Sequence, residues 1–375
     1  MSSRLDMRRP LESVASIMDR AMSRSVSESG ARTNSWTSLG FVPLSTPLIV
    51  FVPLNWIEKP ASRTAIGAEI GAEIIATPGC ESNVKEIFDK CKELRASGQD
   101  LMIFNQFEEF PNYLWHYEVT GHAMEEAFKR LARLGDEFRG ITSATGSAGT
   151  IASGDYMKQV FPGSKIAASE ALQCPTLLEN GFGSHRIEGI GDKHVPWIHN
   201  VRNTDLVVAI DDNAVVNVAR LFNEEDGRAF LVENGVTESL VSNLDLLGFS
   251  GISNVLTAIK MAKYYEMGEH DVIFTIATDS MDLYHSRIHE MRTEMGEYSS
   301  RHAAADFARW VLQQSTDNML ELRHPDRRRV HNLKYYTWVE QQGKTVEELD
   351  AQLSQEWWQK EQVKVLRPYR RRKNL

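Results

Sequence analysis

The 375-residue sequence predicts an α/β protein: a two-lobed, parallel-sheet architecture followed by a helical C-terminal extension. Three observations predict it. Short apolar runs recur between segments with the apolar spacing of a helix face, the alternation that builds parallel sheets. The later runs are apolar throughout, as strands are when both faces are covered. Beyond residue 285 the strand-like runs stop and the pattern becomes helical and charged.

Taken in order, residues 1–35 are rich in Ser and Arg and form an irregular segment, in which Leu11–Met22 has the pattern of a short amphipathic helix. A smaller α/β lobe is expected over 36–135. Its first strand is the run 48–53, ended by Pro53, which removes a ladder donor. Glu69–Thr77 is a second β-rich run, carrying a repeat of Gly-Ala-Glu-Ile at Gly67 and Gly71. Asn83–Arg95 places Val84, Ile87, Phe88, Cys91 and Leu94 on one helix face. Leu101–Phe104 reads as a further strand. The larger lobe is expected over 136–285, with strands at Ile166–Ser169, Leu206–Ile210 and Val272–Thr278 and helices at Ala214–Phe222 and Val255–Tyr265. In the extension, 286–375, Arg301–Gln314 is amphipathic. Thr345 with Glu348 forms a capping box that opens a helix through Trp357 and Trp358. Trp338 and this pair are large apolar groups that need cover, on the main body or on a second subunit.

Composition narrows the function. A formal net charge of −9 implies no general affinity for nucleic acid. The basic stretch Arg367–Lys373 reads as a solvated tail. Three cysteines, Cys80, Cys91 and Cys174, lack metal-ligand spacing and point to a reducing, cytoplasmic setting rather than a disulfide scaffold. The apolar run Phe41–Phe51 is too short to span a bilayer as a helix, and Met1–Gly30 lacks the apolar core of a signal peptide. His185, His194 and His199 lie near Glu188 and Asp192, but Gly189 and Gly191 make this a loop without one-face spacing, so no metal is expected. Asp211-Asp212 precedes a helix, where carboxylates suit the N-terminus better than acid–base work.

The chemistry-bearing stretch is 141–170. Gly146, Ser147, Ala148, Gly149 and Thr150 join an extended segment to a helix. Small side chains let backbone N–H groups surround an oxyanion, and the helix N-terminus adds partial positive charge. Thr150 adds a hydroxyl. The competing reading is a turn and nothing more. Asp279-Ser280 follows the last strand of the lobe, at the strand end where α/β sheets place ligands.

Around this loop the run Thr145–Ile151, the stretch Met157–Glu170, Gly183–Gly191 and Val195-Pro196 follow in one order. With Gln106-Phe107, Asn112, His116, Thr120-Gly121, Gly248–Ser253 and Thr278–Ser280, they resemble the pyridoxal-phosphate enzymes of fold type II, the cysteine synthase and tryptophan synthase β-subunit group, over residues 36–285. With its extension, the whole chain looks most like the bacterial branch called PLP-dependent protein β subunits. The resemblance implies pyridoxal 5'-phosphate as cofactor, a small amino acid such as serine, O-acetylserine or cysteine as substrate, β-elimination or β-replacement as reaction, and a homodimer. It implies that Gly146–Thr150 hold the cofactor phosphate and that Ser250 faces the pyridine nitrogen. A neutral hydroxyl there leaves the ring unprotonated and favours β-chemistry over transamination. The alternative for Ser250 is an N-cap or turn serine before a helix at Asn254.

By the same resemblance, Ser29, Gly30 and Gln106 bind the substrate carboxylate. The only match for the family's asparagine loop is Ser29–Ser35, and Ala31 stands where its ring-contacting asparagine is expected. The family's Schiff-base lysine lies upstream of that loop, whereas the first lysine here is Lys59, which by order belongs to the helix after the first strand. The lysine-bearing segment is therefore expected to be absent or replaced, and the catalytic lysine is unassigned. Two functional classes follow: a cysteine-synthase-like lyase or transferase, or a non-catalytic relative that keeps the fold and cradle as a binding or regulatory protein.

Overall fold

The computed structural model describes the backbone of residues 49–53 and 73–77, and residues 84–98, 103 and 105–363. Ser29, Gly30, Lys59, Cys80, the Gly-Ala-Glu-Ile repeat and the basic tail lie outside these residues, apart from Glu73 and Ile74 of the repeat. So does most of the expected strand Leu101–Phe104, whose one described residue, Ile103, is in no strand.

Strands β1 (Ile49–Pro53) and β2 (Glu73–Thr77) pair in parallel as a two-stranded sheet. Pro53 ends β1, where a missing amide costs least. Helix α1 (Lys85–Ala96) follows the expected face, with Phe88 and Cys91 buried.

The main sheet has five strands. They are β3 (Glu137–Ala144), β4 (Lys165–Ala171), β5 (Leu206–Ile210), β6 (Asp271–Thr275) and β7 (Met319–Glu321), in the order β6-β3-β4-β5-β7. All neighbours are parallel except β5 and β7. That antiparallel edge corrects the expectation of a purely helical segment after 285. Three residues carry too little periodicity to be seen in sequence, and pairing of Val207 with Leu320 supplies the order locally lacking.

The sheet is covered on both faces, which is why its strands read as unbroken apolar runs. Leu206, Val208 and Ile210 pack to one side with α5 (Asp212–Asn223) and α7 (Phe249–Tyr264). Helix α6 (Glu225–Glu233) follows α5 in the chain and packs against it. Val207, Ile166 and Ile141 pack to the other side with Ile151 and Met157 of α4 (Ile151–Val160). The period-2 split of neighbouring residues is the geometry of the pleat. Gly154 sets the approach of α4 to the sheet: a Cβ there would lie 2.7 Å from Ile141 Cδ1 and 2.8 Å from Ile166 Cγ1. This close seating fixes the height of the α4 N-terminus above the strand ends.

Before β3, α2 (Phe110–Trp115) and α3 (Gly121–Leu131) are joined by a π-turn at His116–Thr120. After β7, α8 (His324–Lys334) leads through another π-turn, Tyr335–Gln341, to α9 (Val346–Ala351). The capping box forms as expected, with Glu348 N–H donating to Thr345 Oγ1 at 3.1 Å and Thr345 N–H to Glu348 Oε2 at 2.8 Å. The helix it opens is shorter than expected. It stops at Ala351, and Trp357 and Trp358 sit on a separate helix over 355–363.

Trp338 and Trp358 are fully buried in a third cluster with Phe88, Tyr113 and Trp197. Trp338 Nε1 donates to Val195 O at 2.9 Å, so its one polar atom is satisfied. Beside them Lys334 is also fully buried, which pulls its pKa far down. Its Nζ donates to Trp197 O, His199 O and Gln352 Oε1 at 2.6–2.9 Å, one acceptor for each ammonium proton.

Candidate functional site

Strands β3 and β6 are neighbours, and the segments leaving their carboxyl ends meet at one edge of the sheet. The loop 145–150 leaves β3 and enters α4. Thr278 and Asp279 follow β6. Ser250 lies in the first turn of α7, which packs against β3. Three sequence-distant features therefore converge where open α/β sheets bind ligands.

The loop has the form of a cradle. The amides of residues 146–151 donate to no acceptor among the described residues, and no side chain caps α4. These are the orphan donors of a helix start, with the helix dipole aligned behind them. Ala148 has φ 62°, a left-handed conformation that costs a non-glycine residue roughly 1 kcal/mol. Surrounding contacts over-determine this turn. Thr145 Oγ1 and N–H both donate to Ser169 O, at 2.8 Å. Ser143 Oγ and Thr150 Oγ1 lie 2.5 Å apart. If Ser143 donates, the Thr150 proton is available to a ligand.

Asn112 ties the cradle to Gln106. Its Nδ2 donates to Ser147 Oγ at 3.2 Å and to Gln106 O at 2.9 Å, leaving the Gln106 side chain exposed. Asn112 also explains Gly149, because a Cβ there would fall 2.5 Å from Asn112 Oδ1.

Gly189 bridges the cradle and Ser250. It has φ 85° and lies against both: its O is 3.5 Å from where a Gly146 Cβ would stand, and its own Cβ would lie 3.8 Å from Ser250 Oγ and 3.9 Å from Asp279 Oδ2. The absence of a side chain here leaves the strip between cradle and hydroxyl uncovered by Gly189. Ser250 Oγ is 3.0 Å from Thr278 Oγ1 and 3.5 Å from Asp279 Oδ1. Tyr284 donates its hydroxyl to Asp279 Oδ2. Ser250 is thus a helical residue whose hydroxyl serves no cap, which removes the alternative of an N-cap or turn serine before a helix at Asn254. Gly248 and its neighbours hid the early helix start, which Phe249 and Ile252 anchor by burial.

Behind the cradle, Thr145, Gly146, Glu170, Asp192, His194 and His199 line a void of about 10 Å³, room for one water. Glu170 accepts from the amides of Leu177 and Leu178 at 2.8 and 2.9 Å, and burial raises its pKa to about 7. His194 and His199 of this loop are in separate polar pairs. His194 Nδ1 is 3.0 Å from Asp192 Oδ1, and His199 Nε2 is 2.9 Å from Thr204 Oγ1. Burial holds His199 near pKa 3, a neutral imidazole. Asp211 takes its expected place as the N-cap of α5, accepting from Asn213 N–H at 2.8 Å.

Asn112, Gly189, Thr278 and Tyr284 were given no site role by sequence reasoning. Their signal is tertiary: each is placed by an element other than the loop it supports. Several described lysines are committed elsewhere: Lys158 to Asp205, Lys260 to Asp317, and Lys334 in the aromatic cluster.

A neutral, oriented donor set, a bare glycine strip and a buried hydroxyl at one sheet edge fit a phosphorylated aromatic ring. Among solved structures, a hydrogen sulfide-producing enzyme from Fusobacterium nucleatum superposes with a TM-score of 0.53 at 23% identity, covering 74% of this chain and 73% of that one. Cysteine synthase from Entamoeba histolytica gives 0.53 at 19% identity, covering 70% and 69%. The fold is that of the pyridoxal-phosphate enzymes of fold type II. In sequence, the chain is 25% identical to a cysteine synthase of Staphylococcus aureus and 26% to cysteine synthase B of Campylobacter jejuni, each over 215 residues. Those alignments cover 57% of this chain and 61–62% of the relatives, so the chain spans about three fifths of the curated relatives it matches. No family model matches the chain.

Proposed function

We propose that the protein is a pyridoxal-phosphate-dependent enzyme of β-elimination or β-replacement on a small amino acid such as cysteine, serine or O-acetylserine. The observation that carries this reading is the convergence of the 146–151 amides with the Ser250 hydroxyl across the bare face of Gly189. The likeness to cysteine synthases supports the reaction class. The non-catalytic alternative gains nothing from these comparisons, since the relatives and neighbours named above are themselves enzymes.

In this reading the amides of 146–151 and the Thr150 hydroxyl bind the cofactor phosphate. Asn112 holds Ser147 and the Gln106 backbone together, so the Gln106 side chain is aimed from a fixed base toward the substrate carboxylate. Ser29 and Gly30, outside the described residues, share that role. Ser250 sets the tilt of the ring through its nitrogen. Bound there, pyridoxal phosphate supplies an electron sink for bonds at the amino acid α-carbon. A homodimer in the cytoplasm completes the reading.

The test is sulfide release from cysteine, and cysteine formation from O-acetylserine and sulfide, with cofactor added. Wild type turns over at least one pair, and Gly149→Leu, which drives a side chain into Asn112, loses turnover. No turnover of either pair by cofactor-saturated wild type overturns the reaction class. Sedimentation at micromolar concentration checks the dimer, which a monomer mass contradicts.

A further inference from the structure

We propose that Tyr113 is a positioning residue: its hydroxyl, held between Asp155 and Gln362, fixes α2 so that Asn112 is seated against both the cradle and Gln106. The C-terminal extension thereby supports cofactor and substrate binding. The inference rests on the proposed function and on the roles given there to the cradle and to Gln106.

Helix α2 has six residues, Phe110–Trp115, and no side chain caps its start. A helix of that length makes too few internal hydrogen bonds to persist alone, so its position is set by what it touches. Asn112 and Tyr113 are consecutive, which turns their side chains about 100° apart around the helix. Both nevertheless meet the α4 segment. Asn112 Nδ2 donates to Ser147 Oγ, in the loop that enters α4. Tyr113 donates its hydroxyl to Asp155 Oδ2 at 2.7 Å, in the second turn of α4. Two points of attachment on one partner fix both the height and the rotation of α2. Asp155 is a rigid reference, because it follows Gly154, whose close contact with Ile141 and Ile166 seats α4 on the sheet.

The groups around the hydroxyl are matched to it. Tyr113 is 1% exposed and Asp155 3%. Burial lifts the Asp155 pKa to about 6, so its carboxylate is ionised at neutral pH. It accepts from Tyr113 and from Asn200 Nδ2 and Asn203 Nδ2, the last two at 2.9 Å. Burial and this carboxylate hold the Tyr113 pKa well above its usual value, so the hydroxyl keeps the proton it donates. Its oxygen accepts from Gln362 Nε2 at 3.1 Å, on the helix over 355–363. Tyr113 thus both donates and accepts, and a satisfied buried polar network specifies one arrangement. The ring alone would not. It meets Phe110, Tyr117 and Trp358 at centroid distances of 5.3, 6.0 and 5.3 Å, and the burial that favours such contacts is non-directional.

The experiment is a double-mutant cycle on the full chain at neutral pH, read by fluorescence titration with pyridoxal phosphate. Tyr113→Phe removes the hydroxyl and keeps the ring. It is expected to weaken binding at least about fivefold, part of the roughly ten- to hundredfold that a hydrogen bond to a charged group carries. In an Asn112→Ala background the same change is expected to cost less than about twofold, because its route to the cradle is gone. An equal loss in both backgrounds overturns the positioning role and leaves Tyr113 a structural residue, and no loss in either overturns it too. Asp155→Asn, which removes the charge that Tyr113 meets, follows the same pattern and serves if Tyr113→Phe does not fold. Hydrogen exchange without cofactor is the second measurement. The amides of Glu108, Glu109 and Asn112, bonded to Asn105 O and Glu109 O, are expected to exchange at least about tenfold faster in Tyr113→Phe, as local opening becomes easier. Unchanged protection there overturns the hold of Tyr113 on α2. If wild type binds no cofactor the proposed function fails, and hydrogen exchange still decides whether Tyr113 fixes α2.

Discussion

Gly149 and Glu170 show how much single residues decide at this site. Gly149 has no room for a methyl group, because Asn112 is pinned by two hydrogen bonds and cannot yield. Gly149→Ala is therefore expected to displace Asn112 and weaken pyridoxal phosphate binding at least about tenfold, the cost of one disturbed hydrogen bond to a charged group. A fluorescence titration checks this, and unchanged affinity counts against the cradle. Glu170 is a carboxyl whose pKa burial lifts from 4.5 to about 7. Between those values the folded state binds more protons than the unfolded state, so this group's contribution to stability falls as pH rises from about 4.5 to 7. His199 and His331, both held near pKa 3 by burial, act oppositely, giving stability that is lost as pH falls from 6.5. Comparison with Glu170→Gln isolates the carboxyl. The variant should gain melting temperature relative to wild type between pH 5 and pH 7, and parallel curves would show that Glu170 does not titrate there.

At the scale of elements, legibility followed periodicity. Helix α1 and strand β5 were visible because one period runs through each, and β5 matches its expected bounds. The α2–α3 pair was not seen. A π-turn at His116–Thr120 inserts an extra residue and shifts the apolar stripe, so no single 3.6-residue register spans both helices. The extension was seen as helical and Trp-bearing, but the break at 352–354 was not, because Gln352 and Ser354 are compatible with a helix taken alone. What holds that region is the buried aromatic cluster. Trp338→Ala should cost about 3–5 kcal/mol by cavity formation and also strands Val195 O. Denaturant unfolding measures it, and a loss under about 1 kcal/mol would show that the extension contributes little.

At the scale of the whole molecule, the doubly covered parallel sheet was legible from strand-like runs, and the loop before α4, proposed as the cradle, from its small residues. The site around the cradle was not. Asn112, Gly189 and Tyr284 come from a preceding helix, a distant loop and a segment after β6, and only closure of the sheet brings them together. Ser250 was found by resemblance, and its setting beside Asp279 only by structure. The central claim is that residues 146–151 receive the phosphate while Ser250 receives the ring nitrogen. A crystal structure of the full chain with pyridoxal phosphate tests it most directly. The account predicts phosphate oxygens within hydrogen-bond distance of the 146–151 amides and the ring nitrogen at Ser250 Oγ. A cofactor bound with its phosphate elsewhere, or a cradle left empty at saturating cofactor, would contradict it.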